Sequence, residues 1–192
     1  MLIYLHGFRS GPQSRKAQQL GARVAELGLA NHWWCEQLRW GPTAAIAQIS
    51  KVIEACSEAP TLVGSSLGGF YAAHLSGRYG LNAVLVNPAV LSHIALAPYL
   101  GPQEMLYTGE SFEFTTAHLE ELRVLNAGAA PDPSRLWLLS ETGDEVLDYR
   151  DAVTAYAGAR QTVLEGGDHS FTRWADYLDE ILRFADLAPR SS

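Results

Sequence analysis

The sequence predicts an α/β protein of three layers, with about six mostly parallel strands, helices on both faces and a small lid-like insertion. Short apolar runs rich in β-formers alternate with stretches of helical period, the signature of a parallel sheet built from strand–helix units. Most of the strand candidates are continuously apolar rather than alternating, as expected of strands covered on both faces. The length of 192 residues suits a single domain, 1–192, with one sizeable core.

In chain order, the predicted strands are Leu2–Leu5, Trp33–Gln37, Thr61–Gly64, Ala83–Asn87, Leu136–Ser140 and Gln161–Glu165. Between the first two, Ala17, Leu20, Val24 and Leu27 recur at helical spacing and Gly28 supplies a stop. Ile46, Ile49, Ile53 and Cys56 mark a second helix, Leu67 to Tyr79 a third, and Val146 to Ala157 a weaker fourth. Phe171, Trp174, Leu178, Ile181, Leu182 and Ala185 form a last, clear stripe. The connection from Pro88 to Pro133 is far longer than the few residues usual in such folds and holds a helix near Ala117–Leu125. An insertion of that size at a strand end reads as a lid or a pocket wall, or as a helix packed elsewhere.

Composition excludes several classes. Fourteen basic against 21 acidic residues give a net charge of −7, which argues against nucleic acid as a partner. Two cysteines, Cys35 and Cys56, are too few for a disulfide framework, lack zinc-site spacing, and read as reduced thiols. Met1 to Phe8 has no basic leader before its apolar residues, so a cytoplasmic location is expected. Tyr79 to Gln103 carries no Asp, Glu, Lys or Arg, but Asn87-Pro88 and further polar residues break it, so no membrane span is expected.

The chemistry concentrates in LVGSSLGGF, residues 62–70. G-x-S-x-G is satisfied in one register, Gly64 to Gly68, which makes Ser66 the candidate nucleophile on a strained strand-to-helix turn. Gly64 and Gly68 stand where side chains would collide, and Ser65 has at most a supporting role. A serine hydroxyl needs a base, and the base needs a carboxylate to fix its tautomer. His74 lies eight positions along the same helix, roughly 12 Å up the axis, and cannot reach. His6, His32, His93 and His118 read as structural. His169, in GGDHSF just past the last strand, can be presented above the sheet by its Gly-Gly loop. Asp144, in the Gly-containing turn of SETGDEVLDY, is the favoured acid, with Glu141, Glu145 and Asp148 as rivals and Asp168 as a loop former. The N–H groups of Phe8 and Leu67 are the expected oxyanion donors, with Gly7 relaxing the first loop.

LIYLHGF with Ser14 and Lys16 soon after, LVGSSLGGFYA, VNPAV, TGDEVLDYR and GGDHSF together resemble the YqiA-type esterase family of small α/β-hydrolases, nearly end to end. The resemblance implies an α/β-hydrolase fold trimmed of its leading antiparallel strands. It implies a serine carboxylesterase or acyl thioesterase acting on small-molecule acyl esters or acyl-CoA thioesters, with Ser66, Asp144 and His169 at the triad positions. Such chemistry requires neither a metal nor an organic cofactor. Arg9, Arg15 and Lys16 cluster near the first helix start, where they would receive an anionic leaving group or stand as ordinary solvated charges. The alternatives are a ligand-binding protein on a hydrolase scaffold, or cleavage of another bond type by the same three residues.

Overall fold

The computed structural model describes residues 1–128 and 130–188. Residue 129, inside the predicted 88–133 insertion, and residues 189–192, at the end of the predicted 1–192 domain, lie outside the described residues. Strands β1 (Leu2–Leu5), β2 (Trp33–Trp34), β3 (Thr61–Ser65), β4 (Ala83–Val86), β7 (Leu136–Glu141) and β8 (Arg160–Leu164) form one sheet in the order β2-β1-β3-β4-β7-β8. Every neighbouring pair in it is parallel.

Alternate side chains of these strands enter two separate cores, which makes the three layers. Leu2, Tyr4, Val63, Val84, Trp137 and Leu139 pack on one face under α1 (Arg15–Glu26) and α7 (Leu178–Phe184). Ile3, Leu5, Leu62, Leu85 and Leu138 pack on the other under α2 (Pro42–Ala55), α3 (Leu67–Tyr79), α5 (Thr116–Asn126) and α6 (Tyr149–Ala155). The Asp148 carboxylate caps α6 by accepting the Arg150 N–H at 3.0 Å, so that helix starts later than its sequence stripe. Cys56 sits just beyond α2 rather than in it, and both cysteines are free, half-buried thiols.

Three elements depart from the sequence expectation. The second strand is only Trp33–Trp34, because the chain then turns inward and the Leu38 N–H donates to the His6 ring instead of continuing a ladder. The long connection contains a short helix α4 (Ser92–Ala95) and an antiparallel hairpin, β5 (Gly101–Glu104) with β6 (Ser111–Phe114), besides the expected α5. Strand β5 reads GPQE, with no apolar or β-branched residue to announce it. The last stripe is not one helix. Phe171 takes a φ of 56°, Trp174–Tyr177 form a 3-10 turn, and α-helix begins at Leu178. In that bend the Thr172 and Arg173 N–H groups donate to the Glu141 carboxylate at 2.9 and 3.3 Å.

Trp137 is fully buried in β7, lies edge-on to Tyr177, stacks under the Arg160 guanidinium at 3.9 Å and donates its indole N–H to Thr162. Trp137→Ala is expected to cost about 3–5 kcal/mol, since the cavity cannot collapse between sheet and α7. Chemical denaturation checks this, and a loss under about 1 kcal/mol contradicts the packing account.

Candidate active site

The site lies at the carboxyl ends of the central strands, where strand order reverses between β1 and β3, the usual ligand position of open parallel sheets. Strand β3 runs into α3 through Ser66, whose backbone sits at φ 56°, ψ −119°. A non-glycine residue holds such a conformation only where its surroundings over-determine it. Here the Ser66 N–H donates to the Val86 carbonyl at 3.0 Å, and its carbonyl accepts from Gly69, Phe70 and Ala89. A Cβ at Gly64 would overlap the Gly68 carbonyl, and one at Gly68 would overlap the Leu5 carbonyl. The tight turn therefore has room for no side chain on either flank.

Above this turn the His169 Nε2 lies 3.1 Å from the Ser66 Oγ. Its Nδ1 lies 2.8 and 3.0 Å from the two Asp144 oxygens. The Asp144 carboxylate only accepts, so Nδ1 carries the proton and Nε2 offers a lone pair to the serine hydroxyl. Burial works to raise the Asp144 pKa, but hydrogen bonds from His169, Leu147 and Val146 outweigh it and hold the carboxyl below its ordinary range. Its side chain is 2% exposed, and its Oδ1 also accepts the Val146 and Leu147 N–H groups at 2.9 and 2.8 Å. The rival acids are occupied elsewhere. Glu145 accepts the His169 backbone N–H at 3.0 Å, Asp148 caps α6, and Glu141 lies buried beneath the histidine loop. Asp168 shapes that loop by accepting the Ser170 N–H at 2.8 Å.

The loop after β1 passes directly beside the serine. A Cβ on Gly7 would stand 3.3 Å from the Ser66 Cβ and 3.8 Å from its Oγ, so the Gly7–Phe8 peptide borders the hydroxyl. The Phe8 ring packs against Tyr99, Phe112 and Phe114 of the insertion, at 5.6, 6.0 and 5.1 Å between centroids. His6, read from the sequence as structural, holds this loop. Its Nδ1–H donates to the Gly7 carbonyl at 2.9 Å, and its Nε2 accepts from Leu38 N–H at 3.0 Å and the Gln37 amide at 3.2 Å. The Gly7 carbonyl belongs to the same peptide as the Phe8 N–H, so His6 sets the plane of that donor. Burial drives the His6 pKa down to about 4.

A cavity of about 500 Å³ opens over Ser66 and His169. Leu96, Tyr99, Leu106 and Tyr107, all from the insertion, form one wall, and Arg15 and Lys16 contribute to another. The three sequence-flagged cations have different partners. Arg9 donates to the Glu104 carbonyl at 3.0 Å and to the Gln103 side chain at 3.2 Å, pinning the β5–β6 hairpin. Lys16 donates to the Ser170 carbonyl at 2.7 Å and Arg15 to the Phe171 carbonyl at 3.5 Å. Burial, with a smaller contribution from Arg15, lowers the Lys16 pKa to about 8. Among the described residues, no helix is long and apolar enough to cross a membrane.

A parallel sheet sandwiched by helices, with a strained serine turn at its carboxyl edge, is the α/β-hydrolase fold. Solved structures agree. A putative hydrolase from Agrobacterium vitis S4 superposes with a TM-score of 0.73 at 21% identity, over 96% of this chain and 87% of that one. Est1E from Butyrivibrio proteoclasticus, with ferulic acid bound, gives 0.64 at 14% identity, over 97% and 89%. A monoacylglycerol lipase from Paleococcus ferrophilus gives 0.65 at 13% identity, over 97% and 94%. The chain belongs to the family described as "Uncharacterised protein family (UPF0227)", whose model matches residues 1–186, the YqiA-type family that its motifs resemble.

His6 has a pH consequence. It titrates near 6.5 when unfolded and near 4 in the fold, so between those values the unfolded chain binds the extra proton. Stability therefore falls as pH drops through that window, by up to about 3 kcal/mol from this group. Thermal midpoints between pH 7 and 4 should decline less steeply in His6→Gln than in the native chain, and equal slopes would exclude His6 as the source.

Proposed function

We propose that the protein is a serine hydrolase of acyl esters or thioesters. The observation that carries this reading is the continuous hydrogen-bonded series Ser66 Oγ, His169 Nε2, His169 Nδ1, Asp144, opening into the cavity. The Ser66 oxygen attacks the substrate carbonyl carbon while His169 takes the hydroxyl proton. The Phe8 and Leu67 N–H groups receive the developing oxyanion, and collapse expels the alcohol or thiol, protonated by His169. Water, deprotonated by the same imidazole, then attacks the acyl-serine, releases the acid and restores Ser66. Asp144 keeps the imidazole in the required tautomer and stabilises its charged form.

The apolar wall of Leu96, Tyr99 and Leu106 suits an acyl group, and Lys16 and Arg15 on the cavity lining suit a leaving group that carries negative charge, such as a coenzyme A thiol. The esterase and lipase relatives of the fold support ester bonds as the substrate class.

A fluorophosphonate should label the native protein and not Ser66→Ala, and hydrolysis of p-nitrophenyl butyrate should fall on the order of 10⁵-fold in that variant. Labelling that persists in Ser66→Ala would sink the assignment; a native protein inert to both reagents would favour a binding role. Asp144→Asn should lower kcat about 10⁴-fold with KM little changed. For the leaving group, Lys16→Ala should lower the kcat/KM ratio of a CoA thioester to a neutral thioester by about tenfold, equivalent to about 1.4 kcal/mol. An unchanged ratio removes Lys16 from leaving-group recognition.

A further inference from the structure

The position of His169 depends on a buried polar pair beneath its loop. Asn87 follows β4, is 3% exposed and holds a φ of 40°, left-handed for a residue that is not glycine. Its backbone N–H donates to the Leu139 carbonyl at 2.9 Å. Its side-chain oxygen accepts the Glu141 N–H at 3.0 Å, and its amide NH₂ donates to the carbonyls of Asp168 and His169 at 3.0 and 3.2 Å. The orientation of the amide is forced, since Glu141 N–H can only donate and the two carbonyls can only accept.

Glu141, fully buried at the end of β7, completes the arrangement from the other side. Its Oε2 accepts the N–H groups of Asp168 and Thr172 at 3.0 and 2.9 Å, and its Oε1 accepts the Arg173 N–H and Nε at 3.3 and 3.0 Å. The Thr172 hydroxyl reaches both oxygens at 3.2 Å. Burial works to raise this carboxyl's pKa, and the donors around it reverse that and keep it low. A Cβ at Gly167 would overlap the carboxylate itself, so the glycine before Asp168 is needed for Glu141 to sit there. Neither Asn87 nor Glu141 bonds to the imidazole or to Ser66.

We infer that Asn87 and Glu141 are positioning residues for the proposed general base: they hold the backbone on both sides of His169 from below, so that Nε2 meets the Ser66 hydroxyl. This rests on the hydrolase reading for its kinetic consequences, and on the hydrogen bonds alone for its structural ones. The Asn87 amide fixes the carbonyl of His169 itself, and the Glu141 carboxylate fixes the N–H of the residue before it. A base displaced by about 1 Å loses roughly 10²-fold in rate while the cavity that binds substrate is untouched.

Asn87→Gly tests the amide cleanly, because glycine tolerates the left-handed backbone and only the side chain is lost. Glu141→Gln keeps volume and replaces one acceptor oxygen by an NH₂, which faces two N–H donors at either position. In both, kcat for p-nitrophenyl butyrate and the rate of fluorophosphonate labelling should fall about 10- to 100-fold, with KM within about threefold. The downfield proton resonance of the His169 Nδ1–H bonded to Asp144 should broaden or vanish. Folded variants with native kcat and a native resonance would overturn the inference. If neither variant folds, hydrogen exchange on the native protein decides: the Asp168 and Thr172 amides should be as protected as those of β7, and exchange at exposed-loop rates would refute the pair's role. A native protein without fluorophosphonate reactivity defeats the hydrolase reading alone, and the resonance and the exchange then test the positioning.

Discussion

Ser66 must hold a left-handed backbone between a strand and a helix that have no space between them. That local constraint organises the rest of the site. The strain of such a residue is of order 1–3 kcal/mol, and here it is offset by a complete set of backbone partners and by glycines wherever another atom approaches. Because Gly68 touches the end of β1, α3 packs against both β1 and β3, and the loop leaving β1 runs past the serine rather than away from it. One turn thus fixes the direction of the hydroxyl and the neighbourhood of the Gly7–Phe8 peptide together.

The loops that complete the site are held from behind by groups that do not face the cavity. His6 orients the Gly7–Phe8 peptide and is kept neutral by burial, so its lone pair stays available to Leu38 at ordinary pH. Arg9, next in sequence to Phe8, bonds the β5–β6 hairpin, and the Leu106 N–H returns a bond to the Arg9 carbonyl at 2.8 Å. The apolar wall of the cavity is therefore tied to the same stretch of chain that supplies a proposed oxyanion donor. At the far side, Lys16 and Arg15 at the start of α1 reach carbonyls just after His169, while the Trp174 indole donates to the Lys16 carbonyl at 3.1 Å.

Sequence pattern revealed the parts of this architecture that are local. Strands β1 and β4 are continuous apolar runs, α3 has the bounds Leu67–Tyr79 expected of it, and the glycine spacing around Ser66 admits one register. The meeting of residues 66, 144 and 169 was expected because all three follow strands at one sheet edge, which is a topological argument rather than a periodic one. The misread parts obey tertiary contacts instead. Strand β5 exists because β6 and Arg9 bond to it, although its own residues disfavour it. Phe171 and Trp174 keep the apolar spacing of a helix because both fill the core under α1, yet their backbone is bent to serve Glu141. The weight of His6 and Asn87 was invisible, since nothing in the chain near them names their distant partners.

Glu141 and Asp144, three residues apart, show how one strand end divides two carboxylates between different tasks. Glu141 is the last residue of β7, and its side chain stays beneath the histidine loop, where N–H donors and Arg173 surround it. The chain then turns: the Thr142 N–H donates to the Leu164 carbonyl and the Gly143 N–H to the Gly166 carbonyl, each at 2.8 Å, so the loops after β7 and β8 are laced together. That lacing lifts Asp144 to the level of the imidazole, and its shorter side chain bonds its own backbone at residues 146 and 147 while still facing Nδ1. A longer side chain at 144 would lose that self-bonding turn, and a shorter one at 141 would fall short of the N–H groups under the loop. The order Glu then Asp is what the geometry asks for: reach is needed beneath the loop, and rigidity beside the imidazole.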